Sequence, residues 1–409
     1  MDFLKVDSID AAREKLLSSV QNWIVNTGSV PISEAMGKVL AQDIFSPCDI
    51  PPFRRSSVDG YAVLSGDTAA AGDSIPVMLF VKGQVEMGLP ATFTIGHGEC
   101  AEVPTGGMLP DGADAVVMVE HSEPFGESDI AFYSGVSYGE NAVRAGEDAE
   151  AGALLLRCGK RLLPQDIGAL AAAGFTEVPV FTLPRLSVIS TGDELVPPEK
   201  TPEMGQVRDI NTPAIRALAQ KKGFSVVGTS VLPDEPSILE QALRAAMEIS
   251  DIVVVSGGSS RGKKDATASL IGKVSSPGVF THGLAVKPGK PTIIGFDEPS
   301  HTLLVGLPGH PVSAMIVFEL LLGWLIQELT GNLGLCAIPA QISCNVASSP
   351  GKLTCWPVKL TSAEGRYAAE PIFGKSGLIT TLTQADGYFT VDRDTEGLAT
   401  GQIVQVHLF

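Results

Sequence analysis

The stretch of this chain best suited to hold an anion lies between positions 256 and 265. Four consecutive β-branched residues lead into Ser256, Gly257, Gly258, Ser259 and Ser260. Three basic side chains follow before Asp265. Glycines let the backbone approach a ligand closely, and hydroxyl, amide and cationic groups donate hydrogen bonds to it. The run predicts a ligand loop after a buried strand, but an ordinary glycine-rich turn fits the same residues.

Three more polar turns adjoin predicted strands of the same sheet. They are Thr191-Gly192-Asp193-Glu194, Lys287-Pro288-Gly289-Lys290-Pro291 and Leu307-Pro308-Gly309-His310-Pro311. Lysine heads and backbone amides suit a phosphorylated or otherwise anionic ligand. Carboxylates in the same cleft would repel an oxyanion, so they favour a hydrated Mg²⁺ that bridges to phosphates.

Structural roles compete with these functional roles at several positions. Asp193 could close a turn, and Asp234 and Asp265 could each cap a helix. Glu194 has no such turn role, which favours a function for it. His310 fits a hydrogen bond within a turn better than it fits a metal site, because the six histidines are scattered along the chain.

Strands and helices alternate over residues 184–330, which predicts a doubly wound α/β domain. The predicted strands are 185–190, 225–228, 252–256, 292–296 and 302–305, and the predicted helices are 213–222, 236–249, 266–271 and 311–330. Right-handed crossovers place every strand-to-helix loop at one edge of the sheet. The four polar turns are therefore expected to meet there.

Outside residues 184–330, the predicted secondary structure is helical near the N-terminus and consists of short strands in two other regions. Residues 7–27 and 31–41 predict helices, and we expect a third helix, 162–173, to pack against the first. Short apolar runs between glycine and proline turns make residues 60–140 an inserted β module. Similar runs over 338–409 predict a small β-barrel.

Composition limits the class of protein. The chain has 409 residues and a formal net charge of −17, which argues for several domains and against a nucleic-acid or anionic-membrane surface. The apolar stretch 312–329 contains Glu319 and reads as a buried helix, so we expect no membrane span. The N-terminal residues lead us to expect no signal peptide, and the six cysteines show no metal or disulfide spacing. We expect them to be buried, reduced thiols of a cytoplasmic protein.

Seven ordered motifs resemble the landmarks of one family. They are PPFRRSSVDGYAV (51–63), VPTGGMLPDGADAVV (103–117), RAGEDAEAG (144–152), STGDELV (190–196), SGGSSRGKKD (256–265), KPGKP (287–291) and LPGHPVSA (307–314). On these motifs the chain resembles the molybdopterin molybdenumtransferases, the MoeA family, whose animal relative is the C-terminal domain of gephyrin. The motif KSG at 375–377 extends the resemblance towards the C-terminus.

The resemblance implies a homodimer of four-part subunits. An N-terminal helical and linker part would comprise residues 1–46 and 141–177, and an inserted β domain residues 47–140. A doubly wound, MogA-like α/β domain would span residues 178–330, and a C-terminal β-barrel residues 331–409. In the family the active site lies between the α/β domain of one subunit and the β insertion of the other.

The activity implied by the resemblance is insertion of molybdenum from molybdate into adenylylated molybdopterin, with release of AMP and help from Mg²⁺. Motif matching places catalytic roles on Asp59, Thr105, Asp148, Glu194, Asp234 and Asp265. It places ligand binding on the residues 256–260 together with Lys287, Lys290, Pro308, Gly309 and Ser376. Glu194 and Asp265 would lie nearest Mg²⁺, and an upstream enzyme would supply the adenylylated pterin.

Departures from the family pattern leave the choice between molybdate and tungstate open. They are Arg54-Arg55, Gly283, His310 and Lys352. Two other functions compete with the transferase. One is a scaffold that holds cofactor intermediates without turnover, and the other is a nucleotide pyrophosphatase built on the same α/β domain.

Overall fold

The computed structural model describes residues 6–20, 26–257, 264–331, 337–363 and 365–409. The N-terminal region contains helix α1 (Ile9–Val20) and strands β1 (Thr27–Pro31) and β2 (Ile44–Phe45). The helix expected over 31–41 is reduced to a 3₁₀ turn, Ile32–Glu34. Gly37 follows it with a φ of +76°, a conformation that ends a helix.

The inserted β module is a six-stranded sheet. Its elements are β3 (Arg55–Ser56), β4 (Gly60–Val63), helix α2 (Ser65–Thr68), β5 (Val77–Gln84), β6 (Glu99–Val103), β7 (Ala115–Met118), β8 (Ser122–Phe125) and β9 (Asp129–Phe132). The strand order is β7-β4-β6-β5-β9-β8, and β3 lies outside this sheet. Buried apolar side chains form one cluster on each face, as alternating strand residues require.

The chain then returns to the N-terminal region through paired strands. The returning elements are β10 (Ala142–Val143), β11 (Leu154–Leu156), helix α3 (Pro164–Ala172) and β12 (Glu177–Phe181). Strands β10, β11 and β12 pair with β3, β2 and β1. The expected contact between α3 and α1 is wrong. Leu170 of α3 packs in a cluster with β12, whereas Leu16 of α1 packs in the α/β core.

The α/β domain follows in the predicted order. Its strands are β13 (Arg185–Thr191), β14 (Leu195–Val196), β15 (Val207–Arg208), β16 (Ser225–Leu232), β17 (Ile252–Gly257), β18 (Pro277–His282), β19 (Val286–Lys287), β20 (Ile293–Asp297) and β21 (Thr302–Leu307). Its helices are α4 (Asn211–Lys222), α5 (Pro236–Ile249), α6 (Lys264–Val274), α7 (Pro311–Phe318) and α8 (Trp324–Thr330), with a π-helical turn, Glu319–Gly323, between the last two.

The central sheet has the order β16-β13-β17-β21-β20-β18 and helices on both faces. Strands β16, β13, β17 and β21 are parallel, so their carboxyl ends share one edge. Strand β20 runs the other way, and Ile293 at its start lies opposite Gly306 near the end of β21. The loop before β20 therefore lies at the same edge. Strand β18 is antiparallel to β20 and therefore runs in the same direction as the four parallel strands. The doubly wound α/β domain is confirmed, with a mixed rather than a wholly parallel sheet.

The helix from 311 to 330 lies in the core of this domain. It is apolar and long enough to cross a membrane, but 72% of its most apolar window is buried in the protein. Glu319 interrupts its apolar surface and forms an ion pair with Lys222 at 2.6 Å. The prediction of a buried helix is confirmed.

The C-terminal region forms the predicted barrel. Its elements are β22 (Ile338–Ile342), β23 (Val346–Ala347), β24 (Leu353–Ala363), β25 (Arg366–Pro371), helix α9 (Thr380–Thr383), β26 (Gly387–Val391), β27 (Gly397–Leu398) and β28 (Ile403–Leu408). The order β24-β25-β22-β28-β26 closes because β26 also pairs with β24. Strand β19 of the α/β domain adds to β24 outside the closed ring.

The five cysteines within the described ranges carry no disulfide. Cys100 and Cys355 are buried, as predicted, and burial raises the pKa of each thiol to about 12. Cys48 and Cys158 are exposed, so the prediction that the thiols are buried is wrong for these two.

Candidate functional site

The polar turns reach the sheet edge because each one follows or precedes a strand at that edge. Asn211, a residue that the sequence did not single out, joins two of them. Its Nδ2 donates to Ser256 Oγ at 2.7 Å and to the Gly309 carbonyl at 2.8 Å. Asp209 Oδ1 accepts the backbone N–H of Asn211 at 3.1 Å and so anchors the start of α4. This buried side chain fixes the spacing between the β17 and β21 turns.

The lysine turn 287–291 is held tightly against helix α7. At Gly289, with a φ of +133°, an added Cβ would lie only 2.5 Å from Val317, so only glycine permits this approach. Thr292 Oγ1 donates to the Gly289 carbonyl at 2.7 Å, and the backbone N–H of Leu284 donates to the Lys290 carbonyl at 3.0 Å. The two lysines therefore project from a fixed backbone.

A cavity of about 780 Å³ lies between this edge and the C-terminal barrel. The lysine turn and the Pro308–His310 turn form one wall. The barrel supplies the opposite wall through Lys352, Trp356 and the segment 374–376. The two walls are joined where Ser376 Oγ lies 2.8 Å from His310 Nδ1 and the Ser376 carbonyl accepts the backbone N–H of Val312 at 3.2 Å.

The cavity is cationic although the protein is acidic. Its lining includes Lys287, Lys290, Lys352 and Lys375, and the described residues that line it include no Asp or Glu. None of these four lysines forms an ion pair with the part of the chain that the structure describes. Unpaired ammonium groups around a concave, partly apolar surface favour an anion with a ring system attached.

The acidic turn lies at the other end of the edge. Thr191 Oγ1 donates to Asp234 Oδ1 at 2.6 Å, and Asp193 Oδ1 accepts the backbone N–H of Asp234 at 3.0 Å. Glu194 is exposed, and its Oε2 would lie 2.9 Å from a Cβ at position 192, so its carboxylate lies over that glycine. Three strand spacings of about 4.8 Å separate β13 from β20, so about 14 Å lies between the acidic and cationic ends.

The predicted residues of the β module form a second group. Asp59 Oδ1 accepts hydrogen bonds from Thr105, at 2.7 Å from the backbone N–H and 2.9 Å from Oγ1. These two bonds lower the pKa of the Asp59 carboxyl below its usual value. Asp148 is exposed in the turn after β10, where its backbone N–H donates to Ile50 at 2.9 Å.

The remaining predicted residues cannot be placed in the site. Gly258, Ser259, Ser260 and the side chain of Asp265 lie outside the described residues. Within the described ranges, no group of three or more His, Cys, Asp or Glu side chains is arranged to hold a metal ion. Carboxylates such as Glu194 and Asp234 fit Mg²⁺ only in a shell completed by water and ligand oxygens, which is the shell that Mg²⁺ commonly keeps.

The fold and the cavity define a class: a multidomain α/β protein with a lysine-lined cavity at the carboxyl edge of its sheet. Models of three protein-family regions match the chain. The MoeA N-terminal region (domain I and II) matches residues 7–174, the probable molybdopterin binding domain residues 187–328, and the MoeA C-terminal region (domain IV) residues 339–409.

Individual related proteins indicate the same family. The molybdopterin molybdenumtransferase of Haemophilus influenzae is 30% identical over 407 residues, 98% of each chain. That of Bacillus subtilis is 31% identical over 389 residues, 93% of this chain and 89% of the relative. A solved molybdopterin biosynthesis moeA protein from Pyrococcus horikoshii OT3 superimposes with a TM-score of 0.82 at 31% identity, covering 99% of this chain and 100% of that one. This chain belongs to the MoeA family, as its motifs predicted.

Proposed function

We propose that this protein is a molybdopterin molybdenumtransferase, which acts in molybdenum cofactor biosynthesis. The substrates are adenylylated molybdopterin and molybdate, and the products are molybdenum cofactor and AMP. The observation that carries the proposal is the cavity whose described lining contains four lysines and no carboxylate, in a chain of this family. Both substrates bring oxyanion groups, and the pterin and adenine bring flat rings.

The length of the sheet edge suits the length of the adenylylated substrate. Lys287, Lys290 and Lys352 would neutralise oxyanion oxygens in the cavity, and Trp356 offers an aromatic face beside them. Towards the middle of the edge, Asn211 Oδ1 is buried and has no hydrogen-bond partner among the residues that the structure describes. It is an acceptor suited to an N–H group of a pterin.

The phosphoanhydride bond between AMP and the pterin phosphate breaks in the proposed reaction. A water molecule or a molybdate oxygen supplies the oxygen that replaces AMP. Asp59 is held ionised by Thr105, so it suits positioning of that nucleophile or of the metal oxyanion. Asp148 would assist it from the neighbouring turn. Mg²⁺, held by substrate oxygens and water with Glu194, Asp234 or Asp265, would neutralise charge on the phosphates.

The working unit that we propose is a homodimer in the cytoplasm. Asp59 and Thr105 are exposed on the β module and do not line the cavity of the same chain, so a second subunit is a natural source for them. Unpaired cysteines suit a reducing compartment. An upstream enzyme that adenylylates molybdopterin supplies the substrate. Tungstate remains a candidate alternative to molybdate because the two are oxyanions of the same charge.

AMP release tests the proposal. Purified protein with adenylylated molybdopterin, Mg²⁺ and molybdate should release AMP. Asp59→Ala and Glu194→Ala should slow the release about 100-fold or more, the usual effect of removing a group that acts in the reaction. Asp129→Ala, an exposed carboxylate on strand β9 of the same module, is the control and should leave the rate unchanged.

Other outcomes would replace the transferase with another function. Tight pterin binding without AMP release would indicate a scaffold. Hydrolysis of simple dinucleotides at a similar rate would indicate a pyrophosphatase. If sedimentation shows that the fully active protein is a monomer, a second subunit cannot supply Asp59.

A further inference from the structure

We propose that Asp7 is a positioning residue for the lysine turn 287–291. It lies far from that turn in sequence and outside the cavity lining. It acts through a clamp on the segment 281–285, which leads into the turn. The inference rests on the proposed function, because that function gives the lysines of the turn their role in oxyanion binding.

The backbone of Asp7 forms the first half of the clamp. Its N–H donates to the Gly283 carbonyl at 3.0 Å, and its carbonyl accepts the N–H of Ala285 at 2.8 Å. This is a parallel bridge between Asp7 and Leu284. The N-terminal segment thereby adds a short strand beside the start of the lysine turn, which fixes the path of residues 283–285.

The carboxylate of Asp7 forms the second half. It is only 8% exposed, and its Oδ2 accepts hydrogen bonds from Lys15 Nζ at 2.6 Å and Thr281 Oγ1 at 2.8 Å. Lys15 also donates to the Phe280 carbonyl at 3.2 Å. A buried carboxylate is costly unless it is paired and hydrogen-bonded, and both partners are present here. The pair ties helix α1 to the end of strand β18.

The clamped segment connects directly to both lysines of the turn. The Ala285 carbonyl accepts the N–H of Leu353, and Lys287 pairs in register with Thr354 of the barrel. On the other side, the N–H of Leu284 donates to the Lys290 carbonyl at 3.0 Å. Residues 283–287 therefore lie between Asp7 and the barrel wall, and a shift at 283–285 moves both lysines relative to Lys352.

The test compares Asp7→Asn with Asp166→Asn in the full-length protein. Asp166 is a matched control: it is 3% exposed, forms a 2.5 Å ion pair with Lys160 and accepts the N–H of Leu163. It lies in α3, whose Leu170 belongs to a hydrophobic cluster separate from the one that contains Leu284. Both changes remove one buried carboxylate, so a general loss of stability should be similar in the two.

Two readouts separate positioning from general stability. Amide hydrogen exchange without ligand should accelerate over residues 281–292 in Asp7→Asn and not in Asp166→Asn. The dissociation constant for molybdate, measured by calorimetry, should rise roughly tenfold in Asp7→Asn, the effect typical of losing a partner that orients a binding group. Thr281→Val is a milder change and should produce smaller increases in both the exchange rate over 281–292 and the dissociation constant.

A combined variant tests the route of the effect. With Lys287 and Lys290 both changed to alanine, Asp7→Asn should cause no further loss of molybdate affinity, since its effect passes through those lysines. Unchanged exchange over 281–292, an affinity loss equalled by Asp166→Asn, or full additivity with the lysine changes would overturn the proposal. If the wild-type protein binds no oxyanion while exchange at 281–292 still responds to Asp7→Asn, the proposed function fails and the clamp stands.

Discussion

Removing one lysine of the cavity should weaken oxyanion binding by an amount that depends on how far that lysine is shielded from solvent. Lys352 is half-buried in the turn just before β24 and reaches the cavity from the barrel side. A unit charge about 4 Å from an anion contributes about 1 kcal/mol in water and about 4 kcal/mol near a protein surface. Because this lysine is partly solvated, we expect the lower half of that range for Lys352→Met. A loss of about 1–2 kcal/mol corresponds to a roughly 5- to 30-fold weaker dissociation constant.

Calorimetry with molybdate at two ionic strengths measures this loss. Lys359→Met is the control, because Lys359 is an exposed residue of β24 and does not line the cavity. The difference between wild type and Lys352→Met should shrink at high salt, since ions screen a partly exposed charge. Salt should change the control and the wild type equally.

Equal weakening in Lys352→Met and Lys359→Met would refute this reasoning. It would mean that the ligand senses the overall charge of the barrel and not a lysine in contact with it. A Lys352→Met protein with wild-type affinity at low salt would place the anion away from the barrel wall.

Three further predictions follow from other contacts. Thr105→Val removes one of the two donors that lower the pKa of Asp59, so that pKa should rise towards its usual value. The acidic limb of the pH–rate profile should then move to higher pH, because the carboxylate is protonated sooner as pH falls. Cys355 should resist alkylation at pH 8, because a thiol with a pKa of about 12 is almost wholly protonated there; the two exposed cysteines should be labelled, as mass spectrometry would show. Lys222→Met leaves the buried Glu319 without its cation, which should lower the free energy of unfolding by about 3 kcal/mol in urea titration.

Each of these has a clear contrary result. An acidic limb that stays in place, with an unchanged Asp59 titration by NMR, would show that the Thr105 hydroxyl does not lower the pKa of Asp59. Labelling of Cys355 as fast as Cys48 would show that solvent and reagent reach this buried thiol. A Lys222→Met protein as stable as the wild type would show that Glu319 takes up a proton or finds water instead.

Much of the α/β domain was predictable because most of its strands and helices have clear local sequence patterns. The run Ile252–Val255 has no polar face, and helix α5 begins at Pro236 and ends at Ile249 as the sequence indicated. The antiparallel strand β18 was missed, because PGVFTH lacks a continuous apolar run and its partner in the sheet lies further along the chain. That strand matters, since its last residue, His282, pairs with Ile293 at the ligand edge and leads the chain into the lysine turn there.

The cavity was predictable only in part. Lys287, Lys290, Pro308, Gly309 and Ser376 stood out within polar turns or a family motif, and all five line it. The contribution of the barrel wall depends on how two domains pack, which local pattern does not report. Helix α1 was misplaced for the same reason, because an amphipathic pattern identifies an apolar face and not the surface that covers it.

The measurement that bears most directly on the central claim is a crystal structure of the protein soaked with molybdate, with anomalous data collected at the molybdenum absorption edge. The account predicts an anomalous peak inside the cavity, within hydrogen-bond distance of the lysine turn or of Lys352. A peak at the acidic end of the sheet beside Glu194, with none in the cavity, would contradict it.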